Sequence, residues 1–94
     1  MPFAIRSRYP FTEAGIASLG ASPLSGVYGI FSNRVCIYIG AAEDIRAHLQ
    51  ERFAGQRFQD YEPTYFLMGL NPSNGLTNAQ AELIREYKPV AQYR

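Results

Sequence analysis

The segment "GVYGIFSNRVCIYIG", residues 26–40, constrains the fold more than any other part of the chain. Two runs rich in β-branched and aromatic residues, 26–31 and 35–39, flank the polar break Ser32-Asn33-Arg34. Runs of that length joined by three polar residues predict an antiparallel hairpin. Tyr28 and Tyr38 lie ten positions apart in it, each close to a glycine. The plainest role for them is cross-strand aromatic packing.

The rest of the chain is read outward from this hairpin. "EDIRAHLQERFA" predicts a helix over 44–54, with Asp44 as its N-cap and Gly55 as its stop. Ile45, Leu49 and Arg52 share one stripe of it, with His48 and Phe53 at the edges. "TYFLMGL", 64–70, is apolar enough to predict a strand at a sheet centre. A last helix is expected over 77–87, capped by Thr77 and followed by Pro89. Its Gln80, Leu83, Ile84 and Tyr87 fall on one face. Upstream of the hairpin, "FTEAGIASLG" predicts a short helix capped by Thr12, and "ASPLSG" a loop. The expected fold is α/β (α+β): a three-stranded antiparallel sheet flanked by helices, in one domain spanning 1–94. Residues 1–25 read as an N-terminal extension to a core at 26–90.

Composition narrows the function classes. Nine Lys and Arg face eight Asp and Glu, a net charge of +1 that creates no general field toward nucleic acid. A local basic patch stays compatible with that balance. Cys36 is the only cysteine, so no internal disulfide and no cysteine-rich metal site can form. No apolar run reaches the length of a signal-peptide core or a membrane span. The expectation is a cytoplasmic protein without membrane contact. Cys36 itself reads as a small apolar strand residue.

"GVY", followed ten residues on by "YIG", then a helix, a strand and a helix ending in "LIREYKP", resembles the GIY-YIG nuclease superfamily. The resemblance covers residues 26–90, about seven-tenths of the chain. It implies a phosphodiester-cleaving site of two tyrosines, an arginine, a glutamate and one Mg²⁺ ion, acting on DNA or RNA. In such a site a tyrosine hydroxyl takes or relays the proton of the attacking water. The arginine neutralises charge on the phosphate oxygens, and the carboxylate holds the metal. Carried onto this sequence, the tyrosines are Tyr28 and Tyr38, and the motif glycines are Gly26 and Gly40. The arginine position, ten residues after the second tyrosine, is His48. The glutamate position, three residues before Leu83, is Gln80. The lysine often found after the second motif glycine is Ala41. Both charged members of the site are therefore replaced.

Neighbouring charges do not restore them. Arg46 and Glu82 lie two residues from positions 48 and 80, roughly 200° round their helices. His48 has a plain reading as a polar rim residue, and a partly charged imidazole is a weak clamp for phosphate. Gln80 fits a capping box with Thr77, and a neutral amide alone is a poor Mg²⁺ ligand. Arg34, Arg46 and Arg52 are the candidate nucleic-acid contacts, against a plain reading as solvated surface charges. The favoured function is a catalytically degenerate GIY-YIG-like domain that keeps a nucleic-acid- or phosphate-binding cleft, with no resident metal or other cofactor. The alternatives are an active, divergent Mg²⁺-dependent endonuclease and a protein-interaction domain.

Overall fold

The computed structural model describes residues 5–20, 24–33, 35–56, 58–70 and 75–92, with residues 5–7 as backbone only. Strand β1 (Ile5–Pro10) leads into a short helix α1 (Glu13–Ala17). The hairpin follows as β2 (Gly26–Ser32) and β3 (Val35–Ala42). Then come α2 (Ile45–Ala54), a 3₁₀ turn (Gln59–Tyr61), β4 (Tyr65–Leu70) and α3 (Leu76–Tyr87). The chain is thus a small α+β fold. The sheet order is β1-β4-β2-β3, and every neighbouring pair is antiparallel.

The sheet has four strands rather than the expected three. The N-terminal residues 5–10, read as an extension, supply the fourth by pairing with β4. Their sequence, "IRSRYP", interleaves two arginines and ends in a proline that has no N–H to donate. Those features weaken a strand signal, yet they suit the sheet edge that β1 occupies. Arg8 lies over the Tyr65 ring at 4.5 Å, and Tyr9 stacks on Phe66 at 5.2 Å. β4, between β1 and β2, takes the interior position its apolar run predicts.

Local signals set the helix ends. Thr12 accepts from the Gly15 N–H at 3.0 Å, and Asp44 accepts from the Ala47 N–H at 3.2 Å. Gly55 closes α2. The expected Thr77 cap is not there: α3 begins at Leu76 after Gly75, and no side chain caps it.

Two apolar clusters sandwich the sheet. Tyr28, Ile30, Phe66 and Met68 pack with Ile45 and Leu49 of α2 and Ile16 of α1. On the other face, Val27, Phe31, Cys36 and Ile39 pack with Leu83 of α3. Burial there pushes the Cys36 thiol up to about 12. Among the described residues no helix is long and apolar enough to cross a membrane.

One irregularity decides which way Tyr38 points. Ile30 pairs with Tyr38, but the next residue, Phe31, pairs with Cys36. Ile37 is therefore an extra residue, a bulge in β3. Strict alternation from Cys36 would send Tyr38 to the α3 face. The bulge instead sets Ile37 and Tyr38 on the α2 face, where Tyr28 already lies.

Candidate functional site

Tyr28 sits mid-β2 and is fully buried. Its ring crosses β3 above Gly40, its paired residue. A Cβ on Gly40 would come within 2.6 Å of the ring Cε2 and would overlap Cζ and the hydroxyl. Glycine at this position is what lets the phenol pass over the neighbouring strand. The hydroxyl then meets Nδ1 of His48 at 2.6 Å. The Tyr28 and Tyr38 ring centroids are 6.2 Å apart and tilted. Gly26 lies at the far end of the hairpin, paired with Ala42 and Leu70. Its role is packing, since a Cβ there would overlap the Gly69 carbonyl.

Helix α2 supplies the other two groups. Ile45 and Leu49 are buried against the sheet. His48 and Arg52, one turn apart, follow the same side of the helix toward the tyrosines. Nη2 of Arg52 donates to the Tyr38 hydroxyl at 3.4 Å, with the guanidinium 5.4 Å from the Tyr38 ring centroid. The other support for Tyr38 is Phe58, stacked on it at 5.0 Å.

The charge states follow from burial. Tyr28 is held above the ordinary phenol range, first by burial and then by Tyr38, with Arg52 partly opposing. It therefore stays protonated at neutral pH. His48 is held below the ordinary imidazole range, again first by burial and then by the Arg52 charge. A neutral imidazole and a protonated phenol share this bond in one of two ways: Tyr28 O–H donates to Nδ1 with the ring proton on Nε2, or Nδ1–H donates to the phenol oxygen. Burial works against the Arg52 charge, but the Tyr28 and Tyr38 oxygens more than offset it. Arg52 Nε is buried with no hydrogen-bond partner. The cluster thus holds donor groups on Arg52 and Tyr38, and a His48 ring that donates from whichever nitrogen carries its proton.

The sequence-predicted residues divide between this cleft and elsewhere. Tyr28, Tyr38, His48 and Arg52 come together over Gly40. Gln80 does not join them. It lies on α3, whose buried Leu83 packs on the opposite face of the sheet. Its Nε2 donates to the Ile39 carbonyl at 3.1 Å. The capping box with Thr77 is corrected accordingly: Gln80 bonds strand β3, not its own helix. Glu82 is exposed on α3 and does not rescue a carboxylate for the cleft. Arg46 is half-buried, its Nε without a hydrogen-bond partner, and it makes none of the contacts that join Tyr28, Tyr38, His48 and Arg52. Arg34 lies outside the described residues.

One feature was read in part and one escaped the sequence reading. Arg52 was a candidate nucleic-acid contact, but its place beside the tyrosines, one turn after His48, was not drawn from the spacing that signals it. Gln92 was not singled out at all. Its amide brackets Ile39, accepting from the backbone N–H at 2.8 Å and donating to the carbonyl at 2.9 Å. Val90 and Ala91 N–H groups donate to the Cys36 and Ile37 carbonyls at 3.1 and 2.9 Å. Together these cover the outer edge of β3.

The donor set does not fit a divalent metal. Mg²⁺ takes carboxylate oxygens, and among the described residues no group of three or more His, Cys, Asp and Glu gathers to hold an ion. The one side chain at the glutamate position is a neutral amide already bonded to the backbone. No family model, no curated protein and no solved structure matches this chain.

Proposed function

We propose that this chain is a divergent GIY-YIG-like domain that holds a phosphodiester of DNA or RNA without cleaving it. The observation that carries the reading is the composition of the cleft. Arg52 donates to Tyr38 next to the Tyr28–His48 pair, so a permanent cation and three polar side chains converge, with the exposed Glu51 as a neighbouring charge. Such a set is complementary to phosphate oxygens. Arg52 brings permanent charge, and the neutral His48 adds an N–H rather than a second cation. The motif spacing and the two tyrosines on one sheet face support the superfamily resemblance.

Cleavage asks for more than this cleft offers. The attacking water must lose a proton and the leaving oxygen must be stabilised. Tyr28 is too hard to ionise to accept that proton directly, and its hydroxyl is already bonded to His48. The Glu51 carboxylate acts on Tyr28 and His48 as a nearby charge, but it is exposed on α2, and among the described residues no group of three or more ligating side chains gathers to hold a metal.

The test is fluorescence anisotropy with a labelled single-stranded oligonucleotide, run beside a cleavage gel with Mg²⁺. Losing one charge-assisted phosphate contact through Arg52→Gln should weaken binding by roughly tenfold or more. It should also flatten the log–log salt dependence by roughly one phosphate contact. The gel should show intact oligonucleotide. Binding indifferent to Arg52→Gln would reject the cleft as the phosphate site. Metal-dependent cleavage that vanishes in Tyr38→Phe would instead make the protein an active endonuclease.

A further inference from the structure

Beside the tyrosine cleft the structure holds a cavity of about 390 Å³ that has no part in the reading above. It opens between the last turn of α2 and the 3₁₀ turn. Phe11, Phe53 and Phe58 form its apolar walls, and Gln56, Gln59 and Glu62 stand at its rim. Phe11 and Phe58 are 8% and 4% exposed and form the floor, Phe53 is half-buried, and the three rim residues are exposed. A volume in this range is typical of small-molecule sites.

Two side chains belong to both places. Arg52 lines the cavity and donates to the Tyr38 hydroxyl. Phe58 lines the cavity and stacks on Tyr38. Whatever fills the cavity therefore lies next to the anion site, and one guanidinium serves both. An aromatic plane joined to an anion would use the two together. The rim adds a further selection. Gln56 and Gln59 carboxamides both donate and accept, while the Glu62 carboxylate only accepts.

We propose that this cavity takes one unstacked nucleobase of a single strand, with preference for a base carrying an exocyclic amino group. The inference rests on the phosphodiester reading, because Arg52 is the link between cavity and cleft. Half-buried Phe53 is the wall with area left for a base to stack on, above a floor of Phe11 and Phe58. The Glu62 carboxylate accepts from an amino group such as that of cytosine. A base inside a duplex cannot reach such a hole, so single strands are the expected class.

The test uses the full chain and a short single-stranded oligonucleotide with one 2-aminopurine, whose fluorescence falls when the base stacks. A second strand of equal length is abasic at that position. Binding should quench the 2-aminopurine, and the abasic strand should bind roughly tenfold more weakly. Glu62→Gln should shrink the preference for cytosine over uracil at the probed position and leave the abasic affinity unchanged. Equal affinity for the abasic strand without quenching would overturn the cavity while leaving the Arg52–phosphate contact standing. Equal affinity for duplex and single strand would overturn it as well. Quenching that survives unchanged in Arg52→Gln would keep a base pocket but separate it from the phosphate cleft. No binding of either strand would remove both.

Discussion

The two sides of strand β3 put similar polar side chains to opposite uses. On the α2 side, Tyr38 meets Arg52 and Tyr28 meets His48, side chain to side chain. On the other side and along the outer edge, Gln80 and Gln92 spend their amides on the backbone of one residue, Ile39. The difference lies in what the backbone demands. β3 is an edge strand, and its unpaired N–H and C=O groups need partners. Side chains that fill that need become structure. Those on the α2 side face no such demand, because β2 already pairs the inner edge. A glutamine at the position where the GIY-YIG resemblance implies a metal ligand thus works as an edge clip, while Arg52 pairs with a tyrosine hydroxyl.

The comparison can be broken most severely at Gly40. Gly40→Ala drives a methyl into the Tyr28 ring and should cost about 1–3 kcal/mol or somewhat more by overpacking. Urea denaturation reads the loss, and the Tyr28–His48 contact should disappear from nuclear Overhauser spectra. An unchanged midpoint would mean that Tyr28 does not cross β3 over this residue. The edge is tested next by Gln92→Ala, which leaves the Ile39 N–H without its partner. The expected loss is about 1–3 kcal/mol, with the Ile39 amide exchanging faster than in the parent. Gln80→Glu is milder, about 0.5–1.5 kcal/mol, because Gln92 still donates to the same carbonyl. A capping role would have made that substitution neutral. Mg²⁺ binding by this variant in calorimetry would place position 80 in the cleft and erase the contrast between the two sides.

The smallest effect is a pH dependence carried by His48. Burial holds its folded pKa below the ordinary imidazole value of about 6.5, so the unfolded chain takes up the proton first. Above that value both states are neutral and the residue contributes no slope. As pH falls below it, the unfolded state gains a proton that the folded state resists, and stability declines. Tm should therefore drop between pH 7 and pH 5 by more in the parent than in His48→Gln. Equal slopes in the two proteins would show that His48 titrates freely.

Much of this arrangement was legible from short-range chemistry. The polar break at 32–34 marked the hairpin, and Thr12 and Asp44 marked their helices as N-caps. The apolar run at 64–70 marked an interior strand. What failed shares one cause, which is dependence on contacts distant in sequence. β1 is a strand because β4 offers it an edge, and its own arginines and proline conceal that. The bulge at Ile37 leaves no trace in a segment that is apolar on both faces. The Thr77–Gln80 pair matches the capping pattern, yet Gln80 is drawn to a carbonyl 41 residues away in the chain. Arg52 was visible as a member of the α2 stripe, but nothing local says that the stripe ends at a tyrosine hydroxyl.

The most direct test of the phosphodiester cleft is an amide and side-chain chemical-shift titration with a short single-stranded oligonucleotide. The account predicts shifts that saturate at Tyr38, His48 and the Arg52 guanidinium, with Gln80, Leu83 and Gln92 unmoved. Shifts centred on α3, or none at the Arg52 guanidinium at saturating oligonucleotide, would contradict it.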